Sequence, residues 1–191
     1  MSAMRLIGQL LKPLRPGVDA LTGNTLGRRV PATIKVTSPV FKESEAIPRL
    51  FTAEGDGRFP GIEWIDLPDG TRSIVLLVED ADIPFAVPVT HLIVHSIDPA
   101  ATGIETGAVK AFMAGPSSAG WSCGRNFLGA VGWTPPAPPP GHGMHRYAFQ
   151  VFALDNEPVF RHPPRRGRLM RTIRRHILAQ GSVVATYVNV H

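Results

Sequence analysis

A chain of 191 residues with 43% hydrophobic and 18% charged residues has an ordinary globular composition, large enough to bury a core without disulfides or a structural metal. No apolar run approaches the roughly 20 residues needed to cross a bilayer, and the single Cys123 excludes an internal disulfide framework. The net charge of +5 is concentrated rather than spread, with seven arginines between Arg161 and Arg175 and no acidic residue among them.

The chain opens on "MSAMRLIGQLLKPLRPG", where Leu6, Ile7, Leu10, Leu11 and Leu14 are interrupted by Gln9, Lys12 and Pro13. It has neither the continuous apolar stretch nor the small-residue cleavage site of a secretory signal, so a cytoplasmic protein is expected. Residues 1–30 read as a partly helical N-terminal extension, ahead of one domain over residues 31–191. Short apolar segments punctuated by glycine and proline, 19 of each, point to a mainly β domain. Strands are predicted over Ala32–Phe41, Arg72–Asp80, His91–Ile97, His145–Leu154 and Ser182–His191. In the fourth, both alternating sets of side chains are largely apolar, which requires cover on both faces of the sheet. One helix is predicted over Arg165–Gln180, with Leu169, Met170, Ile173 and Ile177 on one stripe and Gly181 placed as its C-terminal cap. A long irregular region, Gly115–Gly143, has the length at which a loop usually carries function.

Asp80 and Asp82, in "VEDADIP", are spaced to share a face of an extended segment, where they could hold a metal, share a proton or orient histidines. On spacing alone they better suit the turn that follows a strand, where aspartate bonds locally. His91 and His95 cannot share a metal ion on a strand, because four residues span about 13 Å there. His142 and His145 could still converge with Asp80, Asp82 or His91. "GWSCG", Gly120–Gly124, fits the pattern of a nucleophile elbow but lacks the strand before and helix after it. The arginine run reads either as a solvated face or as a contact surface for nucleic acid, anionic lipid or a phosphoprotein. It contains no aromatic residue for base stacking.

The most specific block is "GAVGWTPPAPPPGHGMHRYAFQVFALD", glycine turns and a proline stack leading into His-Arg-Tyr and a buried strand. With "DADIP" at Asp80–Pro84 and His91 opening "HLIVHSI", it resembles the phosphatidylethanolamine-binding protein family, in particular its bacterial Raf kinase inhibitor-like branch. The resemblance implies an antiparallel β-sandwich with a few peripheral helices and a small pocket for phosphate-like anions. Carried onto this chain, the pocket would use Asp80, Asp82, His91, Trp133, Pro136, His145 and Tyr147. It implies a homodimer as the expected assembly, while the residues themselves offer no activated nucleophile with its base and no convincing metal set, so no cofactor, metal or catalytic residue is expected. Ala81, Ile83 and Leu92 depart from the family pattern.

Two carboxylates beside an anion would repel it, so Asp80 and Asp82 are expected to orient and charge His91 and His145 rather than touch the ligand. Arg146 alternates with His145 and is expected to face away into an ion pair. The leading function is therefore a non-catalytic binding protein for a phosphate or phospholipid head group, coupled to kinase or other signalling partners. A hydrolase-like enzyme using the Asp/His cluster as acid and base is the alternative. A third reading is an interaction protein working through the arginine helix.

Overall fold

The computed structural model describes residues 3–26, 29–113 and 116–189. The first two residues of the expected N-terminal helix, the last two of the expected final strand and Gly115 lie outside these. Eight strands form two antiparallel sheets among the described residues. The smaller has the order β1 (Lys35–Thr37), β2 (Ile62–Ile65), β5 (Gly103–Ile104). The larger has the order β6 (Ser122–Cys123), β4 (Val89–Ile97), β3 (Ser73–Asp80), β7 (His145–Leu154), β8 (Ile177–Tyr187). Three helices, α1 (Ala3–Leu11), α2 (Thr22–Leu26) and α3 (Arg166–Ile173), lie at the periphery. The protein is mainly β, with its two sheets arranged as a sandwich.

The apolar runs in β3 and β7 follow from cover on both sides. Ile74, Leu76, Val78, Phe149 and Val151 face the inter-sheet core with Val36, Ile62 and Trp64 of the smaller sheet. Val75, Leu77, Phe152 and Leu154 face outward and are covered by Leu169 and Ile173 of α3. Every residue of β3 is buried, Glu79 and Asp80 included.

Two expectations are corrected. The strand expected over Ala32–Phe41 keeps only Lys35–Thr37 in a ladder. The helix expected over Arg165–Gln180 ends at Ile173, and the chain turns into β8 at Ile177. Ile177 still packs beside Leu169 and Ile173, so the apolar stripe was real but the backbone changed type beneath it. The cause is the partner strand: β7 is ten residues long and pairs with β8 from His145↔Tyr187 to Leu154↔Ile177. Gly181 is consequently no helix cap. It lies opposite Val151 at a point where the Ile34 carbonyl approaches too closely to leave room for a Cβ.

Candidate functional site

Asp80 ends β3, flanked in the ladder by Tyr147 of β7 and Val89 of β4. Because His145 and Tyr147 are two residues apart on β7, they share a face, and their rings stack at 6.4 Å. His91 reaches that face by a different route. The β3–β4 register passes from Val78↔Leu92 to Glu79↔Thr90, so His91 is the unpaired residue of a β-bulge, a device that re-aims a side chain. Its ring meets Tyr147 edge-on at 5.2 Å and lies 6.2 Å from Trp133 and 5.4 Å from Phe127. The structure thus brings Asp80, His91, Trp133, His145 and Tyr147 together. Pro136 is buried beside the turn at Thr52–Gly55, where its carbonyl accepts the Ala53 N–H at 2.9 Å.

The two aspartates divide their work. Asp80 Oδ1 accepts the Asp82 N–H at 2.8 Å, the local turn bond, while its Oδ2 accepts from His145 Nδ1 at 2.8 Å. Asp82 orients no histidine, which corrects that part of the expectation. It accepts the Arg146 backbone N–H at 2.9 Å and both Nε and Nη2 of its guanidinium at 2.7 and 2.6 Å, with Arg15 Nη1 at 3.3 Å. Burial alone would raise the Asp82 pKa, but Arg146, assisted by Arg15, holds it below the ordinary carboxylate range. The ion pair expected of Arg146 is therefore formed, with Asp82 as its partner.

His142 joins the cluster from the loop. Its Nε2 donates to the Leu11 carbonyl at 3.0 Å, and its Nδ1 is 2.7 Å from His145 Nε2. A carboxylate and a carbonyl can only accept, so the outer nitrogens of this chain both carry protons. Burial, more than any neighbour, lowers the pKa of His142.

His91 behaves differently from the expectation. Burial pushes its pKa down, against the smaller opposing effect of Asp80, so near neutral pH it is uncharged. Its Nδ1 donates to the Thr134 carbonyl at 2.8 Å, and in the neutral ring Nε2 is then an acceptor. The Tyr147 hydroxyl is buried and makes no hydrogen bond of normal geometry among the described residues, with the Asp80 carboxylate near it as an acceptor. Burial, with Asp80 nearby, keeps it protonated far above neutral pH.

Sequence reasoning missed the segment that closes this cluster. Arg15 donates to the carbonyls of His142 and Met144, and the Gly17 N–H donates to Ala81 at 2.9 Å. Gly8 of α1 lies against the Pro140 carbonyl and Gly141 against that of Arg5. Residues 5–17 therefore bridge the end of β3 and the proline loop. Arg15 sits among interchangeable basic residues and gives no local signal. Glu79 was missed as well. It is fully buried on the opposite face of β3, accepts from Thr22 N–H, Thr22 Oγ1 and Gln150 Nε2, and is paired with Arg166 of α3. A charged residue inside an unbroken apolar strand was the signal available for it.

The pseudo-elbow "GWSCG" forms the two-residue edge strand β6 beside β4, with no helix after it. Cys123 is buried, and burial pushes its thiol up to about 12, so it is no nucleophile near neutral pH. Among the described residues, no group of three or more His, Cys, Asp or Glu is placed to hold a metal ion, and no helix is long and apolar enough to cross a membrane.

Comparison with known proteins agrees with this arrangement. Residues 37–188 match the family described as phosphatidylethanolamine-binding protein. A UPF0098 protein of Aquifex aeolicus is 38% identical over 158 residues, 82% of this chain and 89% of that one. A UPF0098 protein of Pyrococcus horikoshii is 34% identical over 155 residues, covering 81% and 76%. Among solved structures, E. coli YbcL, described as a member of the mammalian PEBP family, superposes with a TM-score of 0.75 at 25% identity, covering 83% of this chain and 99% of its own. A PEBP homolog from Chlamydia trachomatis gives 0.73 at 27%, covering 82% and 98%. The matched segment contains Asp80, Asp82, His91 and the His145–Tyr147 strand, and the chain belongs to the phosphatidylethanolamine-binding protein family.

Proposed function

We propose that this is a non-catalytic binding protein whose ligand is a small phosphate-bearing anion, free or as a lipid head group. Its site is formed by Asp80, His91, Trp133, His145 and Tyr147, with Asp82 and Pro136 shaping the walls. Family membership supports a binding protein. The observation that carries the ligand class is the Tyr147 hydroxyl, a buried donor with no hydrogen bond of normal geometry and only the Asp80 carboxylate near it as an acceptor, in a cluster whose two carboxylates are already covered by His145, Arg146 and Arg15. A buried unpaired hydroxyl is costly, and a ligand oxygen would satisfy it. Covering the carboxylates removes the repulsion an anion would otherwise meet. The hydrolase alternative is weaker: both nitrogens of His145 are engaged, and no activated nucleophile adjoins it. A homodimer and kinase or other signalling partners form the wider setting of this proposal.

An incoming anion must displace residues 5–17 and favours a protonated His91. Because burial holds the His91 pKa below its ordinary value, the charged ring becomes available as pH falls, and anion affinity rises in that direction. Titration calorimetry with sulfate tests this, since sulfate keeps its charge throughout the range used. Expected are tighter binding at lower pH, tighter binding in Arg15→Ala and weaker binding in Tyr147→Phe. Binding that ignores both pH and Tyr147→Phe would overturn the proposal. O-phosphoethanolamine compared with inorganic phosphate then separates a head group from a free anion.

A further inference from the structure

The arginine run is not absorbed by the site above. Of its seven arginines, Arg166 pairs with Glu79. The other six form no ion pair with a described residue and are exposed. Four of them, Arg161, Arg165, Arg168 and Arg171, line one cleft of about 800 Å³ together with the apolar Phe160, Pro163 and Pro164. Two further clefts share lining residues with it. One of about 290 Å³ shares Phe160, Arg161 and Pro163 and has Cys123 in its lining. The other, about 240 Å³, shares Arg165 and Gly167 and adds Arg125. No Asp or Glu lines any of the three.

A solvated basic face needs neither concavity nor an apolar wall. Uncompensated like charges gathered in a cleft repel one another and focus a positive potential there. Guanidinium groups match carboxylate and phosphate oxygens as rigid forks. Arg168 and Arg171 lie one turn apart on α3, and Arg165 is its N-cap residue, so the three span about 9 Å. An extended polypeptide presents alternate side chains to opposite sides, so acidic residues could meet the arginines while the residues between them meet Phe160 and the prolines.

We propose that these linked clefts are a docking groove for an extended acidic segment of a partner protein, its carboxylates or phosphates paired with Arg161, Arg165, Arg168 and Arg171. The geometry favours a peptide over the other polyanions. A bilayer presents its phosphates in one plane, with no apolar groups between them to lie against Phe160 and the prolines while the arginines are paired. A nucleic-acid single strand needs a succession of free aromatic faces, whereas Phe160 and Phe127 are the only Phe, Tyr or Trp residues in the three linings, and Phe160 already packs against His95 at 4.9 Å.

Fluorescence anisotropy tests this on the full chain, with a labelled peptide of alternating Glu and Val as probe and the Lys/Val peptide as control. Binding of the acidic peptide alone is expected, weakening as salt rises and at least tenfold weaker in Arg165→Glu/Arg168→Glu/Arg171→Glu. These three side chains are exposed, so thermal unfolding should be unchanged. Should the triple variant unfold, Arg161→Ala reports from outside α3, with a severalfold loss expected. The proposal fails if the acidic peptide does not bind or if the substitutions leave its affinity unchanged. It also fails if a single-stranded oligonucleotide or phosphatidylglycerol vesicles bind this surface more tightly than the peptide.

Discussion

Acidification should destabilise this protein through His95, well before its carboxylates titrate. His95 is 7% exposed on β4, with its ring edge-on to Phe160 and Nδ1 3.2 Å from Ser96 Oγ. No carboxylate offsets its burial, which pushes its pKa from 6.5 down to about 4. The unfolded chain therefore binds a proton that the native state excludes, over the window between those values. The sign follows: the contribution is intact above pH 6.5 and is lost as pH falls towards 4. At about 1.4 kcal/mol per pKa unit, the loss approaches ~3 kcal/mol at the acid end and is about 2 kcal/mol near pH 5. His91 and His142, also lowered by burial, act in the same direction. The carboxylate of Asp82 acts only below its ordinary pKa of 3.8. Urea unfolding of the wild type and His95→Gln at several pH values isolates the one histidine. The variant starts less stable at neutral pH but should lose about 2 kcal/mol less on going to about pH 5. Parallel pH profiles for the two proteins would refute the assignment.

Arg166→Ala should strip from the fully buried Glu79 its only cation among the described residues and uncouple α3 from the sheet. Breaking a buried pair costs about 3–5 kcal/mol, reduced to roughly 2–3 here because the Arg166 side chain is partly exposed to water. Chemical denaturation measures it, and a loss within error of zero would contradict the network. Gly181→Ala should cost about 1–3 kcal/mol, because its Cβ would meet the Ile34 carbonyl across from β8. An unchanged unfolding midpoint would show that β8 can move away.

The sequence alone was enough for what depends on local pattern. Strand β7 was legible to the residue, because both of its alternating sets are apolar between Gly143 and Asp155. Strand β3 and the start of α3 were nearly so. The alternation of His145, Arg146 and Tyr147 put the first and third on one face and sent Arg146 to an ion pair. What the sequence could not supply was anything that depends on a partner. Strand β8 begins at Ile177 because β7 has backbone groups there to bond, and helical spacing of apolar residues cannot report that. His91 and His95, four apart, would share a face of a regular strand. Bulges against β3 at Val78/Glu79 and Ile74/Leu76 instead turn His91 inward to Tyr147 and leave His95 with Phe160. Arg15 closes on Asp82 from 67 positions away, and Glu79 finds its cation on α3. Periodicity is written into one segment at a time, whereas register, bulges and ion pairs are set by which two segments meet.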